Sequence, residues 1–116
     1  MQILQLVRWE GNVKMKQYKY TLLKQNGTTE DLGTGKQKGF KELYKILGCS
    51  LIQIIPDDYY DGWADEEVEC YGDDEGRYNE NNKRNPHFKV LKGNVDLGEP
   101  AEWDVVGNII KEELVK

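Results

Sequence analysis

The residues best suited to chemistry in this chain are one histidine, His87, two cysteines, Cys49 and Cys70, and 21 carboxylates. A structural zinc ion takes four nitrogen, sulfur or carboxylate ligands at close spacings. Cys49, Cys70 and His87 offer three, far apart in the chain. Asp57, Asp61 and Gly62 start like a calcium loop, but Tyr59 fills its third position and Val68 its twelfth, where a bidentate glutamate belongs. Gly35-Lys36 resembles the end of a phosphate loop. It is followed by Gln37 instead of Ser or Thr, and no glycine stands five positions earlier. There is no Gly-x-Ser-x-Gly elbow, and no cysteine lies near His87 in sequence. Carboxylate pairs are so abundant that none singles out a glycosidase site. The expectation is a protein that is not an enzyme and has no catalytic residues, metal or cofactor.

Binding chemistry is better represented. Residues 57–75 hold ten acidic side chains and no basic one, with Tyr59, Tyr60, Trp63 and Tyr71 among them. Asp57, Asp58, Asp61, Asp65 and Glu66 could steer a basic surface while Tyr59, Tyr60 and Trp63 anchor it. The plainer reading is a solvated acidic loop. In it Trp63 folds back to cap the sheet, while Tyr59 or Tyr60 stays exposed. A second constellation is Lys83, Arg84, Asn85 and His87. Guanidinium contacts and nearby aromatic rings there would suit a small nucleotide ligand, and oligomerisation would enlarge its pocket between subunits. The plainer reading is again a solvated loop. Residues 1–56 carry nine basic and four acidic side chains, and residues 57–116 carry seven and seventeen. A net charge of −5 argues against direct binding to duplex nucleic acid, which requires phosphate neutralisation.

The elements that would position these residues fit one domain of 116 residues. No apolar run reaches the length of about 20 residues that a membrane helix needs. The first eight residues lack a signal-peptide pattern, although Met15 is an alternative start to Met1. Two cysteines suit a reducing, cytoplasmic setting. Residues 3–7 form a strand candidate. Tyr18, Tyr20 and Leu22 alternate with polar neighbours, Asn26-Gly27 turns the chain, and residues 28–32 return. Residues 33–36 read as a flexible connector. Phe40, Leu43, Tyr44 and Leu47 lie on one stripe, which predicts a helix over 38–47 ended by Gly48. The apolar run 49–55, stopped by Pro56, reads as a central strand. Residues 57–65 read as a loop, 67–71 as a strand, 72–76 as a turn and Arg77-Tyr78 as a returning strand. Residues 93–102 form an excursion, 103–111 a strand with a bulge at Gly107-Asn108, and 112–116 a frayed end. The pattern predicts an α+β fold, a small, mainly antiparallel sheet with one helix packed on a face.

Several of these features recur together: the helix 40–47 ending in Gly48, the strand Leu51-Ile52-Gln53-Ile54-Ile55-Pro56, and the turn Asp73-Asp74-Glu75-Gly76. The asparagine-bearing segment 79–85 and the closing run Trp103-Asp104-Val105-Val106-Gly107-Asn108-Ile109-Ile110 complete the set. In this order they resemble a domain family of unknown function numbered 3846. The resemblance spans 39–113, about two thirds of the chain, with 1–38 as an N-terminal hairpin region. It implies a small domain of the kind typical of phages, large DNA viruses and mobile elements, and it brings no catalytic residues. The expected function is a viral or phage-type accessory protein, acting in the host cell interior, that binds a host protein through its acidic-aromatic surface. The alternative is a nucleotide-signal binder or sponge used in defence evasion.

Overall fold

The structure, a computed structural model, describes residues 16–60, 62–63 and 67–115. The strand candidate at 3–7 and the choice between Met1 and Met15 lie outside the described residues. Along the chain run β1 (Gln17–Leu23), β2 (Thr29–Gly35), α1 (Phe40–Leu47), β3 (Ile52–Ile54) and β4 (Val68–Asp73). They are followed by β5 (Leu91–Lys92), β6 (Glu102–Trp103) and β7 (Ile109–Val115). Five strands form one antiparallel sheet in the order β2-β1-β7-β4-β3, and β5 and β6 pair in a separate two-stranded ribbon. The fold is thus α+β, a mainly antiparallel sheet with one helix on it.

Adjacent apolar residues explain why both faces of this sheet are covered. Successive side chains on a strand point to opposite faces, so the doublets Leu22-Leu23, Cys70-Tyr71 and Ile109-Ile110 each serve two cores. Leu22, Tyr71 and Ile110 join Tyr20 and Leu43 under the helix. Leu23, Cys70 and Ile109 join Ile55, Tyr60, Phe88 and Val105 on the other face. The register makes this consistent: Leu22 lies opposite Ile110, Leu23 opposite Ile109, and Tyr71 opposite Ile110. The helix ends at Gly48, whose φ of 66° is left-handed and whose N–H bonds the Tyr44 carbonyl, so a side chain there would be strained. Loops and short 3₁₀ turns cover the opposite face.

Five expectations need correction. The run ending at Pro56 supplies an edge strand: among the described residues β3 pairs only with β4, and Ile54 is 56% exposed. The segment 103–111 is not one strand. Trp103 belongs to the ribbon, and the sheet strand begins at Ile109, after Gly107 turns the chain at a φ of 79°. Residues 109–115 form the central strand, although their end reads as frayed. Their charges conceal this, because the Glu112 carboxylate is only 5% exposed and is held by tyrosine hydroxyls. Arg77-Tyr78 lies in a 3₁₀ turn, not in a returning strand. The connector at 33–36 begins inside β2, where the register shifts between Tyr20 and Thr21.

Candidate functional site

A candidate binding site lies along the outer edge of β3. Leu51 and Ile55 bond β4 through Asp74 N–H to Leu51 C=O, 3.0 Å, and Ile55 N–H to Cys70 C=O, 2.9 Å. Residues facing the partner alternate along an antiparallel edge. Leu51, Gln53 and Ile55 therefore face β4, and the N–H and C=O of Ile52 and Ile54 point outward. Beside this edge runs a groove of about 270 Å³. Gln53, Ile54 and Tyr59 line one side and Trp103 and Val106 the other, with Arg77 and Asp104 at the wall.

Each wall is fixed by its own bonds. Arg77 Nη1 meets Asp104 Oδ1 at 2.8 Å, and Arg77 Nη2 also donates to the Asp104 carbonyl. Trp103 pairs with Leu91 across the ribbon and is 37% exposed. The ribbon closes tightly, because a side chain on Gly93 would come within 1.8 Å of the Pro100 carbonyl oxygen. Tyr59 is tied by its carbonyl, which accepts from Lys89 N–H at 2.8 Å. Acids flank the edge at both ends. Asp57 and Asp58 sit exposed in the 3₁₀ turn after Pro56. Asp73 lies opposite Ile52, and the exposed Asp74 and Glu75 follow it.

The acidic-aromatic residues divide between surface and core. Asp57 and Asp58 precede Tyr59 in the same 3₁₀ turn, and Tyr59 lines the groove. Tyr60 does not: it is 2% exposed and its hydroxyl donates to the Ile55 carbonyl at 3.2 Å. Its ring stacks on Trp63 with centroids 4.4 Å apart, and Phe88 closes the group. Trp63 caps the sheet, half-buried, with Lys111 Nζ 4.7 Å from its ring centroid. Asp61, Asp65 and Glu66 lie outside the described residues. Trp103 in the groove and Ile54, exposed on the helix face of the same edge strand, are not among the expected contacts. Ile54 sits in a run that reads as core, and Trp103 in one that reads as a strand.

The second constellation does not assemble. Asn85 is fully buried and its polar groups are committed. Its Nδ2 donates to the carbonyls of Leu23 and Gly107, both at 2.8 Å, and its Oδ1 accepts from His87 N–H at 3.0 Å. Asn85 is thus a fixture of the fold, not a ligand contact. Lys83 and Arg84 are exposed, with Lys83 N–H on Gln25 Oε1 at 2.8 Å and Arg84 bridged to Val106. His87 Nε2 lies 3.2 Å from the Thr28 carbonyl. Among the described residues no three His, Cys, Asp or Glu side chains gather to hold a metal. Burial pushes the Cys70 thiol up to about 12, leaving it a core residue and not a nucleophile.

A different polar cluster lies beneath the helix. Tyr20, Glu112 and Glu69 form a row across β1, β7 and β4. Tyr20 OH donates to Glu112 Oε2 at 2.5 Å and accepts from Lys38 N–H at 2.8 Å. Tyr71 OH lies 2.8 Å from Glu69 Oε2 and 3.3 Å from Glu112 Oε1, and Gln37 Nε2 lies 3.4 Å from Glu112 Oε1. Burial is the main cause raising the phenols of Tyr20 and Tyr71 above their ordinary 10.0, and the carboxylate acceptors add to it. The cluster ties the segment before α1 to the central strand.

Among the described residues no helix is long and apolar enough to cross a membrane. Comparison of the chain with family models, with curated proteins and with solved structures finds no match.

Proposed function

We propose that this protein is a non-enzymatic binding module, a small accessory protein of viral or phage type, which holds a host protein through an acidic, aromatic surface in the host cytoplasm. The observation that carries this reading is the groove beside β3. It sets Tyr59 and the exposed Trp103 beside an edge strand whose other face carries the exposed Ile54, with acids at both ends of the edge. Aromatic and aliphatic side chains in a pre-formed recess are suited to anchor a partner, and flanking charge sets its polarity and speeds encounter. The viral setting is what the resemblance of the motif order to the 3846 family implies. The nucleotide-signal reading retains Lys83, Arg84 and His87 but loses the side chain of Asn85, which is spent on the fold.

A displayed library of random peptides tests the proposal. The expected result is enrichment of sequences that join Lys or Arg to β-branched or aromatic residues, captured less as salt rises and not captured by Trp103→Ala. An unenriched library, or enrichment indifferent to Trp103→Ala, would overturn the groove as a recognition surface. Native mass spectrometry with nucleotides and cyclic dinucleotides examines the alternative. A retained nucleotide would favour it over the peptide reading.

A further inference from the structure

We propose that the groove takes its partner by strand addition: an extended segment with a short apolar centre and basic ends pairs with β3 as a sixth strand. This rests on the reading of the groove as a protein-binding surface and specifies how it binds. Three observations carry it. First, the outward N–H and C=O groups of Ile52 and Ile54, unpaired among the described residues, offer a rung to an incoming backbone, the usual basis of strand addition. Second, both faces of this edge carry exposed apolar side chains. Ile54 and Phe40 flank Tyr71 on the helix face, and Tyr59 and Trp103 line the groove on the other. An added strand projects its side chains alternately to the two faces, so it meets an apolar contact on each. Third, the edge is acidic at both ends, through Asp57 and Asp58 after β3 and Asp73, Asp74 and Glu75 beside its start.

The charge also chooses among occupants. A second copy pairing antiparallel through its own β3 would bring Asp57 and Asp58 of each chain to the end of the other where Asp73, Asp74 and Glu75 lie one strand behind the edge. Like charges opposed across a strand pair are unfavourable. A basic segment reverses the sign of both contacts. The opposite edge of the sheet is a poorer template, because β2 carries Glu30 and Asp31 and is broken by the register shift near Gly33.

The probe is the peptide Lys-Lys-Val-Ile-Val-Lys-Lys, with Glu-Glu-Val-Ile-Val-Glu-Glu as control. The lysine peptide is expected to bind and the glutamate peptide to bind at least tenfold more weakly. Two N-methylated forms of the lysine peptide read the backbone. One carries the methyl on the central Ile and the other carries methyls on both Val residues. Strand pairing uses alternate N–H groups, so one form should lose at least tenfold in affinity while the other binds within about twofold. Equal effects would overturn strand addition. In the protein, Ile54→Pro removes an outward N–H at an edge position that tolerates proline, while Ile54→Thr keeps it. Pro should abolish binding where Thr preserves it, with both variants retaining the wild-type sheet signal in circular dichroism. Slowed exchange of the Ile52 and Ile54 amides on binding is the matching expectation. Unchanged exchange would overturn the proposal, as would a peptide-free dimer already protected at those amides, which would assign the edge to a second copy. If library peptides bind in a Trp103-dependent way while the backbone tests fail, only the mode is wrong. If nothing binds, the recognition reading falls with it.

Discussion

The two faces of the sheet are buried by different means, and among the described residues each has one buried polar residue, Glu112 or Asn85. Under the helix, α1 satisfies its own backbone, and the polar residue is Glu112, a side chain bonded to other side chains. On the opposite face the cover is irregular chain, whose backbone groups need partners from elsewhere. There the polar residue is Asn85, and its side chain bonds three main-chain groups at Leu23, Gly107 and His87. A regular cover thus leaves polar side chains to organise one another. An irregular cover consumes them as substitutes for secondary structure. The comparison implies that the loop face depends more heavily on its single polar residue.

Asn85→Ala gives the largest expected effect. It strands two buried carbonyls and an N–H, at about 1–3 kcal/mol for each unsatisfied group. We expect a loss of about 4 kcal/mol in urea denaturation, a large share of the roughly 5–15 kcal/mol that holds a domain of this size folded. Asn85→Asp should do no better, because it sets a carboxylate oxygen against the Leu23 and Gly107 carbonyls. A loss under about 1 kcal/mol would mean that water replaces the amide readily and that the loop face is not organised by this residue.

Trp63→Ala comes next. The ring stacks on Tyr60, meets Phe88 edge-on at 5.5 Å and lies under Lys111. Its removal empties the outer layer of the loop-face core. We expect about 3 kcal/mol of destabilisation, the low end for emptying a large aromatic site because this ring is only half-buried. A stable variant that loses binding would instead make Trp63 a recognition residue and detach it from the core.

How much of this contrast can be read from the residues depends on whether the interaction is local. The stripe Phe40, Leu43, Tyr44, Leu47 and the glycine after it specify α1 within one segment. Asn26-Gly27 likewise specifies the β1–β2 turn, closed by Lys24 and Thr28. Glu112 meets Tyr20 and Tyr71 across sequence separations of 92 and 41 residues. From neighbouring residues alone, its strand reads as a charged tail. Asn85 stands in a run of polar residues and differs from Asn81 or Asn82 only by where the chain returns to Leu23 and Gly107. The groove is hidden for the same reason. The run around Ile54 is an apolar edge strand whose sequence also suits a central strand, and the far wall of the groove comes from the other end of the chain. Tyr59 and Tyr60 are adjacent, and nothing local says which one turns inward.

A smaller effect should come from the helix face. Glu112→Gln keeps the shape of the side chain and an oxygen for one tyrosine, so we expect a loss of about 1–2 kcal/mol, the worth of a charged hydrogen bond made neutral. Alkaline pH tests both faces together. Tyr20 and Tyr71 under the helix, and Tyr60 and Cys70 on the other face, all have pKa values raised chiefly by burial. The fold therefore favours their protonated forms. Below the ordinary values of 9.0 for the thiol and 10.0 for the phenols, both states are protonated and the full stability is present. Above those values the unfolded chain ionises first, so stability falls as pH rises. Each group adds a slope of up to about 1.4 kcal/mol per pH unit. Urea midpoints should hold steady to about pH 9 and drop beyond it, and Tyr20→Phe should flatten the decline. A midpoint constant to pH 11 would show that these hydroxyls reach water in the folded protein.

The smallest expected change in stability belongs to Trp103→Ala, and it separates the cover of the loop face from the groove at its margin. Trp63 and Trp103 lie on the same side of the molecule, but their surroundings differ. Trp63 packs on Tyr60 and Phe88 within the core. Trp103 stands in the two-stranded ribbon, is 37% exposed, and faces the groove. Its neighbours Asp104 and Val105 are held independently, by Arg77 and by the Asn85 N–H that bonds the Val105 carbonyl at 2.7 Å. Removing the indole should leave that wall in place and cost less than about 1 kcal/mol, as for surface positions. Peptide capture should nevertheless disappear. A loss near that of Trp63→Ala would mean that the ribbon is part of the core and that the groove owes its shape to the very side chain proposed to receive a partner. Unchanged stability together with unchanged capture would leave Trp103 with no role in recognition and return the search to Tyr59 and the acids beside it.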